Sequence, residues 1–513
     1  MQKHTVVAIV LLVLLAVGGV VYKAIEPSLQ QRRAYATSDA RTIKGDIRIA
    51  LDSWIGYFPV QSPIFKKMMR EEGFRVVAQD DNADYAARMA NLKDGTIDFA
   101  VCTVDAYLLN GAPVGFPATI IAVIDESKGG DAIVAWKDRI ASIDELKGAQ
   151  GFTIAFTPDS PSHHLLKAIG DHFGIMDLLD SSGAWRVETN GAEDAYARLM
   201  RGEVDMAVIW EPHVTDALSD AGIVKLLGTE DVEKLIVDIL LVNRSFAAKS
   251  APIVDLVLRN YFETMRIYAE QPELLQQDIK SVTGLDQEQV EAMLQGVKWL
   301  DLTENARWFG LDPRYTYQEE ELLTAIDASI RILVESNDFT ANPLTNSDPF
   351  TIIDSSFLGR VVAADSMATS GGSFESSLQR KFTALDDAQW DKLRTLGSLR
   401  LRNVTFQSGT ADLDYNGQEQ LDASVETLAH YPNFRVLVKG HTGVRGDPEA
   451  NEVLSQQRAD AVKGYFMQAH GVDPNRMRAI GMGGSEPLEQ VDGESSRAYS
   501  DRLKRVEVYL VSP

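Results

Sequence analysis

Short β-rich runs and longer segments with apolar residues at helical spacing alternate along most of this chain. From Lys44 to about residue 335, runs such as 46–51 and 153–156 are followed by a polar loop and a helical segment. Two of these helical segments open with Ser-Pro, at Ser62 and Ser160, which is a cap residue followed by a proline suited to the first turn. The pattern predicts alternating strands and helices, which is typical of an α/β fold.

Two ten-residue segments in different parts of the chain have nearly the same pattern. Residues 92–101 and 199–208 share Leu, Gly, a β-branched residue, Asp, an apolar residue and Ala-Val in the same order. Each predicts a helix that ends at a glycine and a buried strand that follows it. We therefore expect two lobes built alike and facing each other. The alternative is a chance likeness between two ordinary helix–strand joints.

The N-terminal pattern is different, because Val6 to Tyr22 contains no charged residue. A helix over this segment would be roughly 26 Å long, near the lower limit for a membrane span. The stretch 16–18 is a poor cleavage site for a signal peptide. We expect an uncleaved membrane anchor over residues 1–22, one N-terminal transmembrane helix, and a polar tether over 23–43.

Near the C-terminus, a β-rich run at 435–439 is followed by a polar loop and, from about Glu452, by helical periodicity that ends at Gly471. Arg458 lies four residues after Leu454 and shares its apolar face. One interpretation is an arginine that extends its charge past the edge of the apolar face. The other is a guanidinium held at a cleft for a carboxylate.

The residues of this region resemble the OmpA-like peptidoglycan-binding domain from about Leu399 to the C-terminus. The motif consists of Gly440-His441-Thr442, Asn451, Leu454-Ser455, Arg458-Ala459 and Val462. The resemblance implies an α/β domain over 396–513 in which Arg458 binds the carboxylate of diaminopimelate in the cell wall.

The loop departs from the family pattern at one position. The family has an aspartate where this chain has Gly443, and we expect Asp447 in the same loop to replace its carboxylate. The alternative is that Asp447 only precedes a proline in a turn and that the domain has drifted to another partner. The resemblance implies wall binding through Thr442, Asp447, Asn451 and Arg458.

Five short segments resemble periplasmic solute-binding proteins of the nitrate, sulfonate and taurine type, including thiamine-precursor binders. The segments are 54–59, 125–131, 143–148, 160–163 and 210–212. The resemblance implies a two-lobed periplasmic-binding-protein fold, type II-like, over residues 44–340. The chain is expected to cross between the lobes near 124–130 and 237–243. Residues 341–395 are predicted to be a linker that partly packs back on the lobes.

Candidate ligand residues follow predicted strands, at the edge where open α/β sheets bind small molecules. The helix start at Ser160 offers backbone N–H groups and a positive helix end, which suits an anionic solute, although an ordinary helix cap is the alternative. The aromatic residues on either side of Gly56 are suited to clamp a ligand or to pack the lobes together. The predicted ligand-binding residues are Trp54, Tyr57, Ser127, Asp131, Ser160, Ser162, His163, Trp210 and Glu211.

Composition and the absence of certain motifs exclude several classes of function. The formal net charge of −24 argues against a nucleic-acid partner. The one cysteine, Cys102, allows no disulfide within the chain. The histidines lack the carboxylate or cysteine spacing of a metal site, and no nucleophile elbow, phosphate-binding loop or His-Glu-x-x-His motif occurs. We predict no metal, no cofactor and no enzyme activity.

The leading hypothesis is a receptor in the periplasm, tethered to the inner membrane by a single span, that binds a small anionic solute. It would pass the solute to an ABC permease or report its presence, with its OmpA-like module facing the peptidoglycan. The second hypothesis is a structural envelope linker whose lobes act as a spacer or interaction platform. The third hypothesis is a protein that resembles the motor stators. The segment from Val6 to Tyr22 argues against it, because that segment has no acidic residue to carry protons.

Overall fold

A computed structural model of the 513-residue chain describes residues 43–149, 151–311, 320–364, 380–401, 404–407, 410–491 and 493–512. The predicted anchor at 1–22, nearly all of the tether at 23–43 and residues 365–379 of the predicted linker lie outside these ranges. Within them, no helix combines the length and the apolar character that a membrane crossing requires.

The strands in the described ranges form three separate sheets. Their bounds are β1 Gly45–Leu51, β2 Phe74–Asp80, β3 Phe99–Thr103, β4 Ala118–Ser127, β5 Asp131–Trp136, β6 Ile154–Phe156, β7 Arg186–Glu188, β8 Met206–Trp210, β9 Ile223–Gly228, β10 Val237–Asn243, β11 Val297–Trp299, β12 Arg394–Ser398, β13 Arg435–Gly440, β14 Met477–Gly481 and β15 Val506–Ser512.

Helices cover the faces of these sheets. The α-helices are α1 Phe58–Gln61, α2 Pro63–Glu71, α3 Tyr85–Asp94, α4 Val104–Gly111, α5 Pro161–Phe173, α6 Ala192–Met200, α7 His213–Leu218, α8 Arg244–Lys249, α9 Ala251–Glu270, α10 Pro272–Thr283, α11 Gln287–Gln295, α12 Leu302–Trp308, α13 Glu321–Glu335, α14 Ser355–Ala364, α15 Asp387–Trp390, α16 Tyr415–Ala429, α17 Pro448–His470 and α18 Ser496–Arg502. Short 3-10 helices occupy Ile55–Tyr57, Ala112–Val114, Ile143–Leu146, Met176–Leu179, Thr229–Asp231, Thr345–Ser347, Pro349–Ile352 and Pro474–Arg476.

The first two sheets follow the same plan, each in its own lobe. In the first lobe the strand order is β2-β1-β3-β10-β4-β11, and in the second it is β7-β6-β8-β5-β9. Each sheet has a parallel trio beside one antiparallel strand, which is β10 in the first lobe and β5 in the second. The predicted two-lobed α/β fold is confirmed.

The repeated segments of the sequence occupy equivalent places in the two lobes. One contains the end of α3 and leads into β3, and the other contains the end of α6 and leads into β8. After each helix the chain turns at a glycine with positive φ, 70° at Gly95 and 69° at Gly202, a conformation that suits glycine. Both strands are almost wholly buried, as the apolar runs predict.

The chain passes between the lobes twice, at 128–130 and at 229–236. The second crossing was expected within 237–243, and that expectation is wrong, because these residues form the buried strand β10, paired on both sides. The hydroxyl of Thr229 links the two crossings. Its oxygen accepts from the backbone N–H of Gly129 at 2.8 Å and of Asp131 at 3.2 Å.

Residues 341–364 lie against the first lobe. The side chains of Leu344, Ile352, Phe357 and Leu358 are buried in the core of that lobe. The hydroxyl of Thr119 on β4 donates to the carbonyl of Ile352 at 3.3 Å. This part of the predicted linker therefore adds to the core of the first lobe.

The third sheet belongs to a C-terminal unit with the strand order β12-β15-β13-β14. Helix α17 begins at Pro448 rather than near Glu452, because the side chain of Asp447 accepts from the N–H of Ala450 and caps it. The helix ends before Gly471, whose φ is 67°, where the sequence predicts its end.

The C-terminal unit packs directly on the second lobe. Phe173 at the end of α5 meets the ring of Tyr431 at 5.8 Å between centroids. The ring of His172 stacks on that of His430 at 5.5 Å, and its Nδ1 is 2.9 Å from the hydroxyl of Tyr431. The N–H of Glu233, in the second crossing, donates to the carbonyl of His430 at 2.7 Å. One continuous apolar core spans the lobe and the unit.

Ion pairs close the edge of the same interface. Arg400 donates to Asp171 at 2.6 Å and to Glu335 at 3.2 Å. The first carboxylate lies on α5 of the second lobe and the second at the end of α13. Lys147 donates to the hydroxyl of Ser398 on β12 at 2.6 Å. The C-terminal unit is therefore held at several points.

The interface histidines are buried as neutral rings. Burial lowers the pKa of His430 to about 4, with further lowering by the charges of Arg331 and Lys234, while a hydrogen bond to Glu233 opposes it. Burial lowers the pKa of His172 well below its usual range, and His430 and Arg331 act in the same direction. His164 lies near both. Because the unfolded state binds protons first, stability is complete above about pH 6.5 and decreases as the pH falls towards 4.

We predict that replacing His430 by Phe makes the stability of the full chain less dependent on pH. His430 alone would contribute a loss of roughly 3 kcal/mol of unfolding free energy between pH 7.5 and 4. Urea unfolding of the wild type and His430→Phe at several pH values measures it. Identical slopes for the two proteins would contradict the prediction.

Candidate functional site

A cavity of about 500 Å³ lies between the two lobes. Its walls come from segments that follow β1, β2 and β3 in the first lobe and β6, β7 and β8 in the second. These are the carboxyl ends of the parallel strands, where open α/β sheets present their sites. The lining residues include Asp52, Ser53, Trp54, Tyr57, Asp81, Asn82, Asp84, Tyr85, Thr103, Asp131, Thr157, Ser160, Thr189, Asn190, Trp210 and Asp238.

The cavity lining is acidic and aromatic. Five of its residues are aspartates, four are Trp or Tyr, and no Lys or Arg occurs among its described lining residues. Arg88 lies beneath the wall with a fully buried side chain. It donates to Asp52 at 3.1 Å and to Asp81 at 2.7 Å, so it balances part of the negative charge.

Two buried carboxyl groups fix the aromatic residues of the first lobe. Asp125 on β4 and Asp238 on β10 lie opposite each other in the ladder. Trp54 donates from its indole N–H to Asp125 at 3.3 Å, and the hydroxyl of Tyr57 donates to Asp238. Burial raises the pKa of Asp125 to about 7; burial and the charge of Asp125 raise that of Asp238 well above its usual range. The ladder thus holds Trp54 and Tyr57 in the wall.

Asp131 is the cavity residue closest to the crossings between the lobes. It is 4% exposed, and its carboxylate accepts from the hydroxyl of Ser127 at 2.7 Å. Burial raises its pKa to about 7, and the charges of Asp105 and Glu211 add to this rise, while the bond from Ser127 opposes it. Asp131 is therefore a carboxyl group that titrates near neutral pH.

The structure brings five of the predicted ligand residues together in the cavity wall: Trp54, Tyr57, Asp131, Ser160 and Trp210. Ser127 does not line the cavity and instead supports Asp131.

Three predicted residues lie elsewhere. Ser162 is fully buried in α5. His163 packs its ring at 4.7 Å from that of Phe156. Glu211 accepts from the N–H and hydroxyl of Thr215 at the start of α7. None of these three residues is among those that line the cavity, so their role in ligand binding stays a prediction.

Sequence reasoning missed most of the acidic wall, namely Asp52, Asp81, Asp84 and Asp238. A signal was present in the run 79–84, which has three aspartates directly after a β-rich segment. The start of α5 at Ser160 does reach the cavity, as expected for an anion. Around it the described lining has five aspartates and neither Lys nor Arg, whereas the sequence led us to expect an anionic solute.

In the C-terminal unit, Arg458 is held without a carboxylate partner in the described part of the chain. Its Nε donates to the carbonyl of Thr410 at 3.2 Å, and its guanidinium lies 5.1 Å from the ring centre of Phe406. Burial lowers its pKa. Asn451 donates to the carbonyls of Gly443 and Arg445, which fixes the loop. This geometry keeps a guanidinium beside an ordered loop.

Two other residues of the predicted wall site differ from expectation. Thr442 is buried and its hydroxyl has no hydrogen-bond partner in the structure. Asp447 caps α17 through Oδ1, which accepts from the N–H of Ala450, so the helix end orients its carboxylate. The space at Gly443 is open, because a Cβ there would meet only the Ser500 hydroxyl at 3.9 Å.

His441, Glu486 and Glu507 bring potential metal ligands within 4.8 Å of one another. Each carboxylate already has a cationic partner, since Lys439 lies 3.3 Å from Glu486 and Arg505 lies 2.7 Å from Glu507. The cluster is therefore balanced by charge without an ion.

The family model of the OmpA family matches residues 405–500. Three curated relatives match the same end of the chain. The peptidoglycan-associated lipoprotein of Haemophilus influenzae is 37% identical over 117 residues, covering 22% of this chain and 74% of the relative. That of Pasteurella multocida is 39% identical over 110 residues, covering 21% and 71%. The probable lipoprotein YiaD of Escherichia coli is 36% identical over 108 residues, covering 21% of this chain and only 48% of that protein. Through this C-terminal unit, the chain belongs to the OmpA family.

Three solved structures similar to this chain each cover more than half of it. The alkanesulfonate-binding protein SsuA of Xanthomonas axonopodis has a TM-score of 0.44 at 16% identity, covering 58% of this chain and 94% of that chain. A periplasmic sulfonate-binding protein SsuA of Methylobacillus flagellatus has 0.46 at 13%, covering 63% and 94%. The desulfurization enzyme DSZB has 0.43 at 11%, covering 63% and 99%. At these identities and TM-scores, the neighbours' ligands carry no information about the ligand of this chain. The two lobes are identified by their own topology.

We predict that Asp447 supports the fold rather than the wall contact. Asp447→Ala removes the cap and should cost about 1 kcal/mol of stability, whereas Asp447→Asn keeps a good cap and should cost little. Thermal unfolding and sedimentation with purified peptidoglycan sacculi measure the two effects. Loss of sedimentation in Asp447→Asn at unchanged stability would show that the carboxylate itself contacts the wall.

Proposed function

We propose that this protein is a receptor that binds a small solute between its lobes and is held at the cell wall by its OmpA-family unit. The observation that carries the proposal is the cavity of about 500 Å³ at the carboxyl ends of the strands of two similar lobes. Its volume lies in the range of small-molecule sites, and its wall combines aromatic surface with a few polar groups.

The two crossings support a lobe movement around the solute. They are short and adjacent, and Gly129 in the first has a φ of 107°, which allows a turn there without strain. Charged side chains surround them, including Glu126, to which Lys298 donates at 2.9 Å. A hinge of a few residues between two rigid sheets is the usual basis of closure in such folds.

The proposed contact with peptidoglycan uses Arg458. A guanidinium without a carboxylate partner in the described ranges, next to a loop ordered by Asn451, is suited to a carboxylate of the wall peptide. The names of the curated relatives support peptidoglycan as the partner. Tethering to the inner membrane through residues 1–22, with the bulk of the chain in the periplasm, belongs to the same proposal. The proposal also includes delivery of the solute to an ABC permease, or a signal to that permease.

A second candidate is the structural linker between membrane and wall, with the lobes as a spacer. The observation that favours it is the continuous apolar core between the second lobe and the C-terminal unit, which joins them firmly. The two candidates differ in whether the cavity binds a solute at all.

We predict that small molecules stabilise the full-length protein and that a blocked cavity abolishes the effect. Asn190 is an exposed residue at the rim of the cavity, and Asn190→Trp places a bulky ring there. A thermal-shift screen of cations, sulfonates, carboxylates and neutral compounds measures stabilisation. Ser181→Trp, at another exposed position of the second lobe, is the control. If no compound stabilises the wild type, or if Asn190→Trp responds equally, the linker is the better account.

We predict that Arg458→Ala weakens sedimentation with sacculi by tenfold to a hundredfold, because a charge-assisted contact is worth roughly 1.5–3 kcal/mol. Gly443→Asp should strengthen it, since the position has open space for a carboxylate. Arg478→Ala is the matched control, because this arginine pairs with Asp391 on the surface of the same unit. Equal sedimentation of the wild type, Arg458→Ala and Arg478→Ala would exclude the proposed contact.

A further inference from the structure

The wall of the cavity between the lobes carries more carboxyl groups than the chain pairs with cations. Arg88 pairs with Asp52 and Asp81. For the other three aspartates of the lining, the described residues supply no Lys or Arg within ion-pair distance; these are Asp84, Asp131 and Asp238. A cavity wall with more carboxylates than cations is complementary to a ligand of positive charge.

A buried carboxylate behind the wall adds to this excess. Asp105 follows Thr103, which lines the cavity, and its charge acts on Asp131. Asp105 is 1% exposed, and neither of its carboxylate oxygens has a hydrogen-bond partner among the described residues. Buried carboxylates without partners are costly, and a positive charge nearby offsets that cost. A cation bound near Asp131 would supply such a charge.

Aromatic rings line the same space from both lobes. Trp54, Tyr57 and Tyr85 belong to the first lobe, and Trp210 follows β8 in the second. The faces of such rings attract ammonium and alkylated ammonium groups, and they offer apolar contact to the remainder of an organic ligand. Rings favour an organic cation over Ca²⁺ or Mg²⁺, which prefer oxygen ligands alone.

We infer that the solute of this cavity is a small organic cation whose positive nitrogen lies beside Asp131, between the rings of Trp54 and Trp210. The inference rests on the proposed function of the cavity as a solute site, and it replaces the anionic solute expected from the sequence. The carboxylates supply the attraction, and the rings select an organic ligand.

Calorimetric titration of the full-length protein tests the inference with paired probes. Choline is compared with its neutral isostere 3,3-dimethylbutan-1-ol, and putrescine, agmatine and thiamine are compared with methanesulfonate and nitrate. Choline should bind more than tenfold tighter than 3,3-dimethylbutan-1-ol, or one of the other cations should bind more than tenfold tighter than each anion. Tightest binding of an anion overturns the inference and leaves the receptor function standing. Binding of no probe, together with no stabilisation by any compound class, overturns both.

Variants locate the charge that matters. Asp131→Asn keeps the size of the side chain and should weaken binding of the best cation by tenfold or more. Asp138→Asn, at an exposed turn of the same lobe, is the control. Asp84→Asn is a second variant, because asparagine preserves the cap of α3 and only the charge at the rim is lost. Asp84→Asn should weaken binding of the best cation by a few-fold. Wild-type affinity in both Asp131→Asn and Asp84→Asn, with folding verified by thermal unfolding, contradicts the inference.

The pH dependence gives an independent readout. In the empty cavity Asp131 has a pKa of about 7, with Ser127, Asp105 and Glu211 as its neighbours. A cation favours the ionised carboxylate, so binding should release a proton and affinity should rise between pH 6 and 8. The pKa values of Asp125 and Asp238 are also raised, so a bound cation should favour proton release from this pair as well. Proton uptake on binding, or affinity that falls with rising pH, contradicts the inference.

Discussion

The hydroxyl of Thr229 joins the two places where the chain passes between the lobes. It bonds to the hydroxyl of Ser127 at 2.8 Å and accepts from the backbone of Gly129 and Asp131. The two crossings are therefore joined into one narrow connection between the lobes. The cavity, its acidic wall and the position of Asp131 all depend on this connection, because each lobe contributes only one side of the site.

Helix α5 links that site to the C-terminal unit. Its first turn reaches the cavity at Ser160, and its last turn presents His172 and Phe173 to the C-terminal unit. A helix packed along its length transmits position rather than flexing, so the C-terminal unit takes its orientation from the second lobe. Arg400 adds a contact to the end of α13, which packs on the first lobe. The C-terminal unit is thus in contact with elements of both lobes.

Hydrophobic periodicity predicted much of the fold, because the burial of each helix or strand determines where apolar residues occur along it. The repeated segments at 92–101 and 199–208 lead to equivalent strands, and the glycines after their helices have the positive φ that the pattern predicts. The C-terminal motif likewise identified the OmpA family. The second crossing was misplaced because a buried strand such as 237–243 and an apolar hinge have the same composition.

The site was predicted less completely, for a physical reason. Residues such as Trp54 and Trp210 follow strands and are visible in sequence, whereas the charge of a cavity is a sum over both lobes. Asp52, Asp81 and Asp238 each look like ordinary loop or strand aspartates until folding brings them together. Asp447 and Glu211 show the reverse case, since polar residues at predicted site positions serve as helix caps.

The most direct measurement is the identity of the molecule that the cavity holds in the cell. Native mass spectrometry of the full-length protein, purified without denaturation, would detect a bound small molecule, and denaturation would release it for identification. The account predicts an organic molecule with a nitrogen that is positively charged at neutral pH. Release of a sulfonate, nitrate or another anion from the wild-type protein would contradict it.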